Sequence, residues 1–113
     1  MSTRAVGAAL ERRAAWHYRL RGYRVLARNA WAGGHELDLV LRRGGRLVFA
    51  EVKGKGGDGY GPAEAMVGAE KQRRLRRAAE AWLAAHPDAA ALEISFDVVA
   101  VEGRKLRRLP AAF

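Results

Sequence analysis

The chain has 113 residues, half of them hydrophobic, and no cysteine. That suffices for one folded domain over residues 1–113 and excludes a disordered chain, a disulfide scaffold and thiol chemistry. Lys and Arg number 21 against 12 acids, a formal charge of +9, which points to a polyanionic partner, nucleic acid above all, through counterion release.

Residues 3–21 read as a helix with apolar positions at Val6, Ala9, Leu10, Trp16 and Leu20, and Gly22 is the natural stop. "YRVLARN" (23–29) predicts a first strand, "AWAGGH" (30–35) a turn, "ELDLVL" (36–41) a second strand and "RLVFAEVK" (46–53) a third. "GKGGDGYG" (54–61) is a loop. Pro62 suits a helix start, and 63–86 predicts a long helix ended by Pro87. "LEISFDVVAV" (92–101) is a fourth strand, followed by the basic tail "RKLRRLPAAF". The order αβββαβ predicts an α/β fold, a mixed sheet flanked by helices. No apolar run approaches the ~20 residues of a membrane span and the N-terminus lacks a signal-peptide core, so the expected setting is the cytoplasm, away from membranes.

A two-residue turn at Gly44-Gly45, of a composition suited to type I′, makes every facing pair of the second and third strands sum to 89. Asp38 then opposes Glu51, and Glu36 opposes Lys53. Strict alternation puts all four charges on one face, with Leu37, Leu39, Leu41, Val48, Ala50 and Val52 on the other. Facing carboxylates with Cβ atoms about 5 Å apart repel by roughly 1–3 kcal/mol. Protonating one acid relieves that, and so does a cation; oxygen ligands at a strand end suit Mg²⁺ or Mn²⁺. A metal on Asp38 and Glu51 would polarise a phosphodiester, and Lys53 would orient water or offset charge developing on phosphorus. The plainer alternative is a Glu36–Lys53 ion pair with Asp38 and Glu51 solvated.

Asp38, twelve intervening residues and then Glu51-Val52-Lys53 match the PD-(D/E)XK pattern of restriction-endonuclease-like nucleases. More of the chain, including "LERRAAWHYRLRGYRVLARN", "GHELDLVL", "LVFAEVK" and "FDVVAV", resembles the YraN-like family of uncharacterised bacterial proteins. The resemblance implies a restriction-endonuclease-like αβββαβ core, similar in its site to archaeal Holliday junction resolvases. It also implies a metal-dependent nuclease centre of Asp38, Glu51 and Lys53. Glu11 falls on the family's helix glutamate, a metal-site residue in the related resolvases, and Glu36 on the glutamate of its "GE-hydrophobic-D" motif. The expected substrate is DNA, branched or otherwise structured, because nothing in the chain looks like a sequence-reading element; a homodimer is expected by analogy to the junction resolvases only. The chain departs from the family at His35, where glycine is usual, and at Lys55 and Ser95, where arginine is common.

Outside that centre, "KQRRLRR" (71–77) is expected to turn Lys71, Arg73, Arg74, Arg76 and Arg77 outward from the long helix for phosphate contact. Lys55 and Tyr60 in the glycine-rich loop are expected to touch a phosphate and stack on a base. Asp97 reads as a structural hydrogen-bonding acid, His17 and His86 as structural, and His35 as a solvated loop histidine with a proton shuttle as the alternative. Two rivals to a nuclease remain: a nucleic-acid-binding module that does not cleave, and an adaptor whose basic helix docks on an acidic protein.

Overall fold

A computed structural model describes residues 3–54 and 67–113. Helix α1 (Thr3–Arg19) precedes three antiparallel strands, β1 (Arg24–Ala32), β2 (His35–Arg43) and β3 (Arg46–Gly54). Helix α2 (Ala69–Ala85) and a 3₁₀ turn (Pro87–Ala89) lead to β4 (Glu93–Glu102) and β5 (Lys105–Leu109). The sheet order is β1-β2-β3-β4-β5, and only β3 and β4 run parallel, in register from Arg46↔Glu93 to Gly54↔Val101. This is the expected αβββαβ mixed sheet with one strand more. The expected helix over 63–86 is corrected at its start: Gly68 is extended, with φ −68° and ψ 169°, and caps a helix that begins at Ala69, whereas Pro62, Lys55 and Tyr60 lie outside the described residues.

The helices pack against different core clusters. Leu75, Ala78, Ala79 and Trp82 of α2, at the i, i+3, i+4, i+7 spacing of an amphipathic helix, pack with Val40, Leu47, Phe49 and Val98. Ala14, Ala15 and Tyr18 of α1 pack with Leu39, Leu41, Val48, Ala50, Val99 and Val101. The expected face of α1 holds at Leu10, which packs against the same cluster, and is corrected at Val6, Trp16 and Leu20, which are exposed, Leu20 by 77%. Alanines let this helix approach the sheet closely, and the buried stripe that they share with Tyr18 starts at Glu11. The stop at Gly22 holds. Its φ is +89°, Tyr23 N–H donates to Tyr18 C=O and Gly22 N–H to Arg19 C=O, the Schellman pattern.

The β2–β3 register is the expected one, from Arg43↔Arg46 to Leu39↔Ala50. Two details differ. Only Gly44 has positive φ, a type II′ rather than I′ pattern; the residues predicted as a turn extend β1 to Ala32, and Gly33 and Gly34, both with positive φ, close the β1–β2 hairpin. A side chain at Gly33 would meet the Arg77 carbonyl of α2 at 3.0 Å, so this tight turn also permits helix contact. The second correction concerns the acids.

Candidate metal centre

The paired ladder of β2 and β3 stops at Leu39↔Ala50, one step before the expected Asp38–Glu51 pair. In its place the Asp38 Oδ2 atom accepts the Val52 backbone N–H at 2.9 Å. The carboxylate replaces a backbone acceptor, and the strand changes facing there. Leu37 joins the α2-side cluster with Val40, whereas Leu39 and Leu41 join the α1-side cluster. Strict alternation would have put all three leucines together. The four charges therefore do not share one face by simple alternation, and Glu36 sits opposite Trp31 of β1 rather than Lys53.

The break gathers acids from two elements. Ligand oxygens of Glu11, Glu36 and Asp38 all lie within 4.8 Å of one another. Two oxygens on one Mg²⁺ are about 3 Å apart in cis and about 4.2 Å in trans, so small side-chain rotations would bring this set onto a single ion. A cleft of about 400 Å³ opens beside them, lined by Gly7, Ala8, Glu11, Asn29 and Glu36. Burial raises the pKa of Glu11, a hydrogen bond from Asn29 opposes this, and the charges of Glu36 and Glu51 raise it further. Burial also pushes Asp38 up, to about 7; the Glu51 charge adds to the shift and the Val52 N–H offsets part of it. Either protonation of one acid or a bound cation would relieve such crowding of carboxylates.

Glu51 is 6% exposed and belongs to the same group through its hydrogen bond with Asp38. Its other partner is Lys71, whose Nζ lies 2.7 Å from Oε1. Lys71 thus leaves the outward-facing set predicted for α2 and turns half-buried into the site, because a buried Glu51 needs a counter-charge. Lys53 follows half-buried on β3, and no ion pair between described residues uses it. Arg73, Arg74, Arg76 and Arg77 are exposed as expected. Arg73 and Arg74 share Glu70, at 2.6 and 3.3 Å, and Arg76 lies over the rings of Phe96 and Phe113.

Two residues at the site escaped the sequence reading. Asn29, in the left-handed region at φ +51°, bonds Glu11, and Arg28 beside it adds a positive field. An asparagine inside a strand of Val, Leu and Trp was the available signal, since asparagine is depleted in strands and tolerates positive φ.

The model of the uncharacterised protein family UPF0102 matches residues 10–101, which include Glu11, Glu36, Asp38, Glu51, Lys53 and Lys71. A UPF0102 protein of Paracidovorax citrulli (strain AAC00-1) is 45% identical over 116 residues, covering 99% of this chain and 84% of the relative. One from Halorhodospira halophila is 42% identical over 95% of this chain and 85% of its own length. One from Serratia proteamaculans is 40% identical over 100% of this chain and 97% of its own. The chain belongs to the UPF0102 family, the YraN-like family that its motifs resemble.

Proposed function

We propose that the protein is a Mg²⁺- or Mn²⁺-dependent endonuclease of PD-(D/E)XK type that hydrolyses phosphodiester bonds in DNA, with branched or structured DNA as the substrate. The observation that carries this reading is the convergence of Glu11, Glu36 and Asp38 within 4.8 Å, with Glu51 hydrogen-bonded to Asp38 and Lys53 two residues further along β3. Bound there, the metal would supply Lewis-acid polarisation of a phosphodiester. Glu11, Glu36 and Asp38 would hold it, and Asp38 would give up its proton on binding. Glu51 would join the set by exchanging its Lys71 contact. Lys53 would set its ammonium against the scissile phosphate and offset the charge that develops there. The resemblance to junction resolvases alone extends the proposal to a homodimer.

Calorimetric titration of Mn²⁺ tests the site before any substrate is chosen. Wild type is expected to bind at submillimolar metal, with Glu11→Ala, Asp38→Ala and Glu51→Ala each losing most of that binding. A wild type that takes up no metal, even with DNA present to supply phosphate ligands, would refute the nuclease and leave a non-cleaving module. If binding is found, cleavage of junctions, flaps and single strands follows.

The Lys71–Glu51 pair makes a separate prediction. Lys71→Met strips the buried carboxylate of its partner and is expected to cost the metal-free protein about 1–2 kcal/mol. That is less than for a fully buried pair, because the lysine side chain is 36% exposed. If Glu51 is a ligand, Mn²⁺ will raise the Tm of Lys71→Met by several degrees more than that of wild type. Equal shifts would remove Glu51 from the metal set.

A further inference from the structure

We infer that the molecule carries a second phosphate-binding locus, an arginine-lined cleft at the far end of α1 that takes the backbone phosphates of the same nucleic acid strand. The cleft, of about 580 Å³, is lined by Arg19, Tyr23, Arg24, Arg42 and Arg43 with two glycines, and no carboxylate borders it. Among the described residues, Arg46 is compensated by Glu93, Arg73 and Arg74 by Glu70, and Arg108 by Asp97, whereas Arg12, Arg13 and Arg21, on another side of α1, form no such pair. None of the ion pairs between described residues uses the four arginines of the cleft.

Carbonyls and aromatic rings hold the guanidiniums of Arg19, Arg42 and Arg43 instead. Arg43 donates from Nη1 to the Arg21 carbonyl at 3.0 Å, at the end of α1, and its guanidinium lies 4.6 Å from the Tyr23 ring centre. Arg42 donates from Nε to the Gly44 carbonyl at 2.9 Å. Arg19 lies over Trp16. These contacts orient the side chains and leave their positive charge intact. A planar, weakly hydrated guanidinium held in this way is the group that grips phosphate oxygens with two parallel hydrogen bonds.

Position connects the cleft to the carboxylates. The carboxylate cleft lies between α1 and one end of the β1–β2 pair, and β1 is a sheet edge. The arginine cleft lies at the other end of that pair, beside the turn glycines Gly22 and Gly44, where Arg24 and Arg42 also border a groove on the α2 side with Trp82, His86 and Asp88. Along α1, Arg19 lies eight residues beyond Glu11, about 12 Å at the helical rise. Along β2, Arg42 lies six beyond Glu36, about 20 Å at the strand rise. Those spans match roughly 4–6 nucleotides at 3.4 Å per step. Arg28, whose charge is felt at Glu11, lies on β1 between the two clefts. A strand gripped at the arginine cleft would thus run past Arg28 to the acids. The inference rests on the nucleic-acid half of the proposed function and does not require cleavage.

The test is binding of a labelled single-stranded DNA oligonucleotide across a salt series in EDTA, so that metal and hydrolysis play no part. Arg24→Gln/Arg42→Gln is expected to weaken binding about tenfold near 0.1 M salt and to flatten the slope of log K against log salt by about 1.4. Arg12→Gln/Arg46→Gln removes the same net charge outside the cleft but should change the slope by well under half as much. Arg24→Lys/Arg42→Lys should keep the wild-type slope, which guards against a folding defect in the glutamine pair. Equal losses in the two glutamine pairs, or no loss in the first, would overturn the cleft. So would inorganic phosphate moving the arginine side-chain NMR signals of the cleft while the oligonucleotide leaves them in place, the mark of a free-anion pocket.

Discussion

Replacing Asp97 by alanine is expected to cost about 3–5 kcal/mol of folding stability. Asp97 is fully buried and accepts four hydrogen bonds: from Tyr18 Oη at 2.7 Å, Arg108 Nε at 2.9 Å, the Ala111 N–H at 3.0 Å and Ser95 Oγ at 3.1 Å. These donors come from α1, β5, the C-terminal turn and β4 itself, so one carboxylate ties four parts of the chain together. Truncation leaves a guanidinium that is only 18% exposed without its counter-charge and strands a buried phenol and an amide. Burial, the largest cause of the raised Tyr18 pKa, persists once the Asp97 charge is removed, so the phenol does not offset the loss by ionising at neutral pH. Urea unfolding should show a lower midpoint with an unchanged slope, and Asp97→Asn should lose less because it keeps an acceptor. A loss below about 1 kcal/mol in Asp97→Ala would deny the network its structural role. The effect also reaches the acid cluster. Tyr18 lies two helical turns beyond Glu11 on the buried stripe of α1, and anchoring it fixes the rotation that aims Glu11 at Asp38.

Asp97 reads correctly from sequence as a structural acid, and the β2–β3 hairpin reads correctly in register, because both follow from local rules. An acid after Phe96 in a strand must find donors, and a two-glycine turn leaves few ways to pair the flanking residues. Local rules fail where long-range packing decides. On α1 the large residues Trp16 and Leu20 suggest the core face, yet the sheet selects the alanine face because it can approach more closely. Residues 105–109 read as a basic tail, since β5 owes its existence to pairing with β4 and to Arg108 meeting Asp97. The composition of the acid cluster was legible, but its geometry was not. Alternation alone cannot foresee that Asp38 takes a backbone amide of β3 and turns Glu36 toward Glu11.

That same turn makes Asp38→Asn the second large prediction, with opposite signs for stability and function. Burial raises the Asp38 pKa to about 7, well above the usual aspartate value of 3.8 that the unfolded chain is expected to show. A raised folded-state pKa means that the folded protein holds the proton more tightly. The associated stability is complete below about pH 4 and is lost as pH climbs through about 7. That window corresponds to at most about 4 kcal/mol at 1.36 kcal/mol per pH unit, and sharing of the proton with Glu51 lowers it to about 2–4 kcal/mol. Asparagine can still accept the Val52 N–H but never ionises. In EDTA, Asp38→Asn should therefore match wild type near pH 4 and exceed it by about 2–4 kcal/mol at pH 8, read by urea unfolding at each pH. In exchange it should lose Mn²⁺ binding, while wild type binds about tenfold more weakly for each pH unit below 7, as protons compete for the site. An Asp38→Asn protein less stable than wild type at pH 8 would mean that the carboxylate is not crowded in the metal-free state. On the proposed function, a metal ion that neutralises this carboxylate would be the physical reason for keeping such a residue. A destabilising buried charge persists in a fold when a ligand that arrives later neutralises it.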